Sequence, residues 1–421
     1  MGKWDDRKFR FLFTVSFFAV FAYLVSYGFA RQKNRKDYRR AETFYETIAE
    51  LRSGVEAAAK HAVRAFVLPS GYRVTLTIDP DLQNAVSEML TRNDLPMGAF
   101  VAIEPATGRI LAMSGYSSDH GITLEPDFTA SFPAASLVKI ITASAALEEL
   151  DFSPASKISY RSGLNKVTRL DLKTPETKRY PRISLTEAMA KSANNVFGKL
   201  TAKYVGRERF VKYLKNFHFF KKIPFEIPVE ESSALVPEED LELARTGAGF
   251  GKVMISPLHA TMMGASIANG GIMMRPYIVK SIRDRRGNLL FTANEEIVAR
   301  TVSPETADKL VDMMTKTPIL GTLRKAFSKR KWRYFVKKFD VAGKTGSITW
   351  GPPRLRYEWS LGMAPAGDPS ICFVSLTGNS DLWSIKSTVI AREALAKYFD
   401  YDYKKIRNSR IRKRKKGRRR R

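Results

Sequence analysis

The chain has 421 residues, 44% of them hydrophobic, with 71 Lys/Arg against 42 Asp/Glu and a formal net charge of +29. That apolar share supports a sizeable core and excludes wholesale disorder. One cysteine, Cys372, excludes an intramolecular disulfide framework and a Cys-based zinc site. The four histidines form no H-x3-H or HExxH pair, so no metal is expected.

The charge sits mostly at the ends. Residues 404–421 hold 13 Lys/Arg and no acid, and residues 1–40 hold 10 Lys/Arg and 3 acids. Residues 11–30 (FLFTVSFFAVFAYLVSYGFA) carry no charge. At about 1.5 Å per helical residue that run spans a hydrocarbon core, so an uncleaved transmembrane helix is expected. Gly28-Phe29-Ala30 offers a signal-peptidase site as the alternative. Against it, the apolar run is too long for a signal peptide and Arg31 follows directly. The Lys/Arg count is four before the span and six in the ten residues after it. Taken alone, that favours the C-terminal side inside.

Further along, residues 35–66 carry a loose apolar stripe and predict a juxtamembrane helical spacer. Tyr72–Asp79 alternates like a strand, and Asp79-Pro80 opens a helix. Gly98–Glu104 and Gly108–Met113, joined by Pro105–Gly108, predict a hairpin. Residues 136–150 (SLVKIITASAALEEL) are apolar nearly all round at their start, the mark of a buried central helix. Residues 183–215 read as two helices broken near 192–195, and 254–270 as another helix. Strands are expected at 341–349, 359–363 and 371–377, with a last helix near 385–399. Strands at both ends of the body and helices in its middle predict an α+β, mixed three-layer fold.

Three short patterns lie in order: Ser136-Leu137-Val138-Lys139, Ser192-Ala193-Asn194 and Lys344-Thr345-Gly346, followed by Ser347. A three-residue spacing puts Ser136 and Lys139 on one helix face. A lysine among Val138, Ile140 and Ile141 is hard to hydrate, and desolvation favours its neutral form. A neutral amine beside a serine is a base for a nucleophile. Free N–H groups in a first helical turn would favour an oxyanion at Ser136. Read alone, the site is equally an N-capping serine and a snorkelling lysine. Ser192 could relay a proton from a helix break, or be an ordinary cap. Lys344 could add positive charge, with Thr345 or Ser347 binding a carboxylate, or be an edge-strand lysine. A second S-x-x-K, Ser328…Lys331, lies in the basic run SKRKWR and reads as a solvated charge cluster. Gly247–Lys252 (GAGFGK) fails the phosphate-loop spacing.

Together the three motifs resemble the penicillin-binding protein transpeptidase family. The likeness extends over residues 73–400, through Thr75–Asp79, Ala102–Met113, Gly247–Gly249, Ser256–Leu258, Ile267–Gly271 and Trp359–Pro365. The resemblance implies a central antiparallel sheet flanked by helices, with an all-α subdomain. It implies a peptidoglycan D,D-transpeptidase that crosslinks stem peptides through a serine acyl-enzyme and is inhibited by β-lactams. Ser136 would be the nucleophile, Lys139 the base, Ser192 the relay and Lys344 an electrostatic support. Asn194, Thr345, Gly346 and Ser347 would bind substrate, and the Ser136 and Ser347 N–H groups would form the oxyanion hole. No cofactor or metal is implied.

The implied layout is residues 1–10 cytoplasmic, 11–30 transmembrane, 31–72 spacer, 73–400 transpeptidase on the outer face of the cytoplasmic membrane, and 401–421 a basic tail. A membrane glycosyltransferase is a possible partner, because the roughly 40 residues between the anchor and the domain are too few for a built-in one. An outer location argues against nucleic acid. The Pro-Gly-Ser approach to the nucleophile is absent, Ala134-Ala135 standing in its place. A D,D-carboxypeptidase or β-lactamase on the same fold is one alternative, although the sequence shows no clear deacylation base. A β-lactam sensor or non-catalytic scaffold is another, although its signature, a broken motif set, is missing.

Overall fold

The computed structural model describes residues 50–93, 95–380 and 384–402. The expected transmembrane helix at 11–30, the first part of the spacer and almost all of the basic tail lie outside them. No helix among the described residues is long and apolar enough to cross a membrane.

The organising element is a six-stranded, wholly antiparallel sheet. In chain order its strands are β1 (Met97–Ile103), β2 (Ile110–Ser117), β3 (Gly121–Thr123), β4 (Ala342–Trp350), β5 (Leu355–Ala364) and β6 (Ile371–Asn379). Their spatial order is β4-β5-β6-β1-β2-β3. The helices that cover the sheet or build the site are α1 (Pro80–Arg92), α2 (Val138–Glu149), α3 (Leu185–Lys191), α4 (Asn194–Lys199), α5 (Pro257–Ala268), α6 (Arg330–Phe339) and α7 (Ser387–Tyr398).

Both sheet faces are buried, which the strand sequences anticipate by being apolar at successive positions. Alternate residues feed two cores. Ala99, Val101, Cys372 and Val374 join the side chains of α2 and α5. Phe100, Ala102, Ile371 and Phe373 join those of α1, α6 and α7. The result is the three-layer arrangement expected from the sequence. Helix α2 is buried from Val138 to Leu147, as its all-round apolar pattern requires. Helix α1 starts where expected, with the Asp79 carboxylate accepting from the N–H groups of Asp81 and Leu82.

The structure departs from the sequence reading in four places. The spacer helix ends at residue 60; Ala65–Val67 is a strand paired with Arg73–Leu76. The boundary drawn at 72/73 therefore falls inside a hairpin, and Leu51, Val55 and Ala59 pack into the main core. That hairpin joins Val279–Arg283 and Leu289–Thr292 in a four-stranded sheet that local pattern did not reveal. The helical region is not all-α, since Lys157–Ser159 pairs with Arg182–Ser184 inside it. Finally, the basic run SKRKWR is solvent-exposed from Ser328 to Lys331, as expected of a charge cluster, yet it also enters α6, whose Trp332 and Phe335 are buried. Its many cations masked an amphipathic helix.

One buried cation ties the loop over the site to the helical region. Lys199 Nζ donates to the carbonyls of Ser159 (3.1 Å) and Thr174 (2.6 Å) and pairs with Glu176 at 2.5 Å. The loop so held supplies the carbonyls of Leu164 and Asn165 that receive Asn194. Lys199→Met strands three acceptors. With Glu176 31% exposed, the expected cost is about 2 kcal/mol, below that of a fully buried pair. Urea denaturation should show that loss as a lower midpoint with an unchanged slope.

Candidate active site

The site forms where α2, the α3–α4 break and edge strand β4 meet. A single 3₁₀ turn, Ala135–Leu137, delivers Ser136 into α2. Ser136 is thus one turn ahead of the α-helix proper rather than inside its first turn. Ala135 just before it has φ +47°. That left-handed conformation costs an L-residue about 1–2 kcal/mol, and it falls where the resemblance leads one to expect glycine. The indole Nε1–H of buried Trp359 donates to Pro133 O at 2.8 Å and pins the approach to this turn.

Ser192 ends α3 in the left-handed region, φ 56° and ψ 44°. This reversal turns both its carbonyl and its hydroxyl toward Lys139, each 3.1 Å from Nζ. Lys139 Nζ also lies 2.7 Å from Ser136 Oγ and 2.5 Å from Asn194 Oδ1. From the other side Lys344 Nζ reaches Ser192 Oγ at 2.9 Å and Thr345 O at 2.7 Å. Ser136, Lys139, Ser192, Asn194 and Lys344, predicted from three segments up to 208 residues apart in sequence, therefore form one network.

Both lysines are fully buried. Among the described residues none of the groups they contact through hydrogen bonds is a carboxylate. Burial pushes the Lys139 ammonium well below the ordinary lysine range, and the neighbouring charge of Lys344 pushes it further. Burial lowers Lys344 to about 7. A Lys139 amine without its extra proton keeps a lone pair for the Ser136 hydroxyl. Such an arrangement can let an amine accept the proton of the Ser136 hydroxyl, with the Ser192 hydroxyl bonded to both amines.

The remaining predicted residues lie along β4. Lys344 and Gly346 share its inward face, and Thr345 and Ser347 the other. A Cβ on Gly346 would come within 3.2 Å of Ser136 N, so glycine permits the strand's close approach to the nucleophile turn. Ser347 is exposed. Asn194, expected to hold a substrate amide, is already engaged: Oδ1 on Lys139, and Nδ2 donating to Asn165 O at 2.9 Å.

The sequence does not place two further neighbours, Thr322 and Gly249, at the site, although Gly249 belongs to a segment that carries the family likeness. Thr345 Oγ1 donates to Thr322 Oγ1 at 2.6 Å, and Gly321 before Thr322 was the available turn signal. Gly249, at φ +100°, backs the nucleophile turn; a Cβ there would lie 2.4 Å from the Ala135 carbonyl and 2.8 Å from Ser136 N. Among the described residues no group of three His, Cys, Asp or Glu is placed to hold a metal ion.

The family model for the penicillin-binding protein transpeptidase domain matches residues 98–397. The chain belongs to that family. Similar proteins include the peptidoglycan D,D-transpeptidase PbpA of Mycolicibacterium smegmatis, 28% identical over 349 residues, covering 73% of this chain and 67% of that one. PbpA of Mycobacterium tuberculosis is 28% identical over 354 residues, covering 74% and 68%. Among solved structures, the ceftriaxone acyl-enzyme of penicillin-binding protein A from M. tuberculosis aligns with TM-score 0.66 at 24% identity, over 84% of this chain and 83% of that one. The D,D-transpeptidase domain of a peptidoglycan glycosyltransferase from Eggerthella lenta gives 0.67 at 23%, over 82% and 91%. These likenesses show that the mixed α/β fold is the family's.

Two outcomes follow from the geometry. Gly249→Ala should displace the nucleophile turn and slow acylation by on the order of 100-fold, the cost that a misplacement of about 1 Å can carry, in a chain that still melts cooperatively. Lys344→Gln removes the charge that helps hold Lys139 down, so the Lys139 pKa should rise. A base works only when deprotonated, so the acidic limb of the acylation rate should move to higher pH. Measuring acylation by fluorescent penicillin across pH checks this; an unmoved limb would break the electrostatic link. The stability sign is the opposite of an ordinary ion pair. Between about 7 and the ordinary value of 10.5 the unfolded chain binds more protons than the folded one at Lys344. Its burial penalty therefore fades, and stability rises, as pH climbs through that window.

Proposed function

We propose that this chain is a peptidoglycan D,D-transpeptidase that works through a Ser136 acyl-enzyme and is blocked by β-lactams. The observation that carries the reading is the fully buried Lys139 amine 2.7 Å from Ser136 Oγ. In this reading Lys139 accepts the Ser136 proton as Oγ attacks the penultimate D-alanine carbonyl of a stem peptide. The proton passes by way of Ser192, bonded to both amines, to the departing terminal D-alanine amine. The acyl-enzyme is then attacked by an amine of a second stem, which restores Ser136 and leaves a crosslink.

The Ser136 and Ser347 N–H groups would hold the oxyanion, with β4 as the edge along which the substrate backbone lies. Thr345 and Ser347, sharing one face, would take the terminal carboxylate. Asn194 would first position Lys139 and turn its amide to substrate on binding. The D,D-transpeptidase names of the PbpA relatives support this assignment. So do the ceftriaxone and penicillin G acyl-enzymes of penicillin-binding protein A.

Transpeptidation is favoured over hydrolysis by the lack of a carboxylate among the hydrogen-bond partners of Ser136, Lys139 and Ser192 among the described residues. A carboxypeptidase or β-lactamase needs a group that activates water promptly.

The wider assignment follows the same reading. Residues 11–30 anchor the chain in the cytoplasmic membrane, residues 1–10 stay inside, and the transpeptidase part faces outward. A separate membrane glycosyltransferase would supply the glycan strands. The test is fluorescent-penicillin labelling beside Ser136→Ala on a denaturing gel. A persistent band lost in the variant is expected. A band that fades within minutes would make the chain a hydrolase, and no band would make it a scaffold.

A further inference from the structure

Residues 324–338 contain eight Lys/Arg and no Asp/Glu, and all eight cations are exposed. Among the described residues none of them forms an ion pair with a carboxylate. Four of them, Arg324, Lys325, Arg333 and Lys337, line a cavity of about 890 Å³. Its wall is apolar at Ile319, Phe327 and Val336, and Asp340 is the carboxylate on its lining. Ile319 and Leu320 beside it are 58% and 39% exposed.

The chain's C-terminal end leaves the domain at this same face. Tyr401 OH donates to Lys331 O at 2.7 Å, and its ring lies 4.9 Å from that of Phe335. The 19 residues after Asp402 carry another 13 Lys/Arg. The last described residues, Tyr401 and Asp402, thus lie against the segment that carries the 324–338 cations.

We propose that this face docks on an anionic lipid bilayer, the cavity taking a phosphate headgroup while Ile319 and Leu320 enter the interface. Clustered Lys/Arg alone would suit any polyanion. Exposed aliphatic side chains among those cations favour a surface that is both charged and oily over a fully hydrated polymer. Docking here would hold β4 near the membrane, since Thr322, a few residues before the basic run, bonds Thr345. The proposal does not depend on the Ser136 chemistry, so either can fail without the other.

The test uses the full chain with Ile319→Cys carrying an environment-sensitive fluorophore; the native Cys372 is buried and resists labelling. The probe is nanodiscs of phosphatidylcholine alone or mixed with phosphatidylglycerol. A blue shift with a several-fold gain in intensity is expected only with phosphatidylglycerol, and high salt should reverse it. The charge reversal Arg324→Glu/Lys325→Glu/Arg333→Glu/Lys337→Glu should abolish the shift and leave the cooperative melting transition in place, which reports that the variant is folded. Truncation after Asp402 should weaken the shift but not remove it. Equal shifts on both discs would overturn the proposal, as would a shift that survives charge reversal. Loss on truncation alone would assign the effect to the tail and overturn docking by this face. Equal competition by millimolar inorganic phosphate would replace the bilayer with a free-phosphate site.

Discussion

Two amines buried around one serine hydroxyl are the constraint on which the rest of the structure turns. Lys139 and Lys344 both approach Ser192 Oγ, at 3.1 and 2.9 Å. Two ammonium ions in that space would repel, and among the described residues neither is hydrogen-bonded to a carboxylate. The protein therefore spends folding free energy to keep a lysine pair with weakened hold on its protons. Such a pair is unstable to any movement that admits water, because solvation would restore the ordinary lysine pKa. The packing around it reflects that demand: α2 is buried on all sides, and β4 runs against the nucleophile turn with a glycine at the closest point.

The backbone shows the same demand. Ala135 and Ser192 both adopt positive φ without being glycine, and both adjoin the reacting hydroxyls. Strained residues persist where the surroundings over-determine them. Here Trp359 holds Pro133, Gly249 backs the Ala135 carbonyl, and the Leu164 and Asn165 carbonyls hold Asn194. Each contact comes from a different segment. The site is therefore assembled only when sheet, helical region and covering loop are all in place, and its geometry is a property of the whole domain.

That distribution explains what could be read from the sequence. The Ser136–Lys139 pair was legible because both residues lie within one helical turn and the apolar neighbours announce burial. The helix break at Ser192 and the central strands were legible for the same reason, their signals being local. Three motifs in order supplied the long-range step that no single pattern could. What escaped depended on partners distant in sequence. The strand Ala65–Val67 exists because Arg73–Leu76 and Val279–Arg283 continue its sheet, and α6 is a helix because α7 and Tyr401 cover Trp332 and Phe335. Thr322 has no pattern of its own; only the fold brings it to Thr345. Positive φ at Ala135 is likewise invisible, since alanine ordinarily signals helix.

The placement of β4 at the sheet edge connects fold to chemistry. An exposed edge strand is a liability, because its unpaired N–H and C=O groups invite other chains. Here the nucleophile turn packs on the strand's inward face at Gly346, where a Cβ would meet Ser136 N at 3.2 Å. Residues 317–322 reach the same region through Thr322, and they are docked by Thr322 N–H on Ala190 O at 3.0 Å. Among the described residues no further strand pairs with this edge. On the proposed reading, a substrate laid there would gain main-chain hydrogen bonds. Its scissile carbonyl would then arrive beside Ser136, because the strand that would bind it is the strand that Gly346 brings against Ser136 N. Binding register and the position of Ser136 would thus be set by one contact, and the lysine pair would need to be matched to only one position of the substrate.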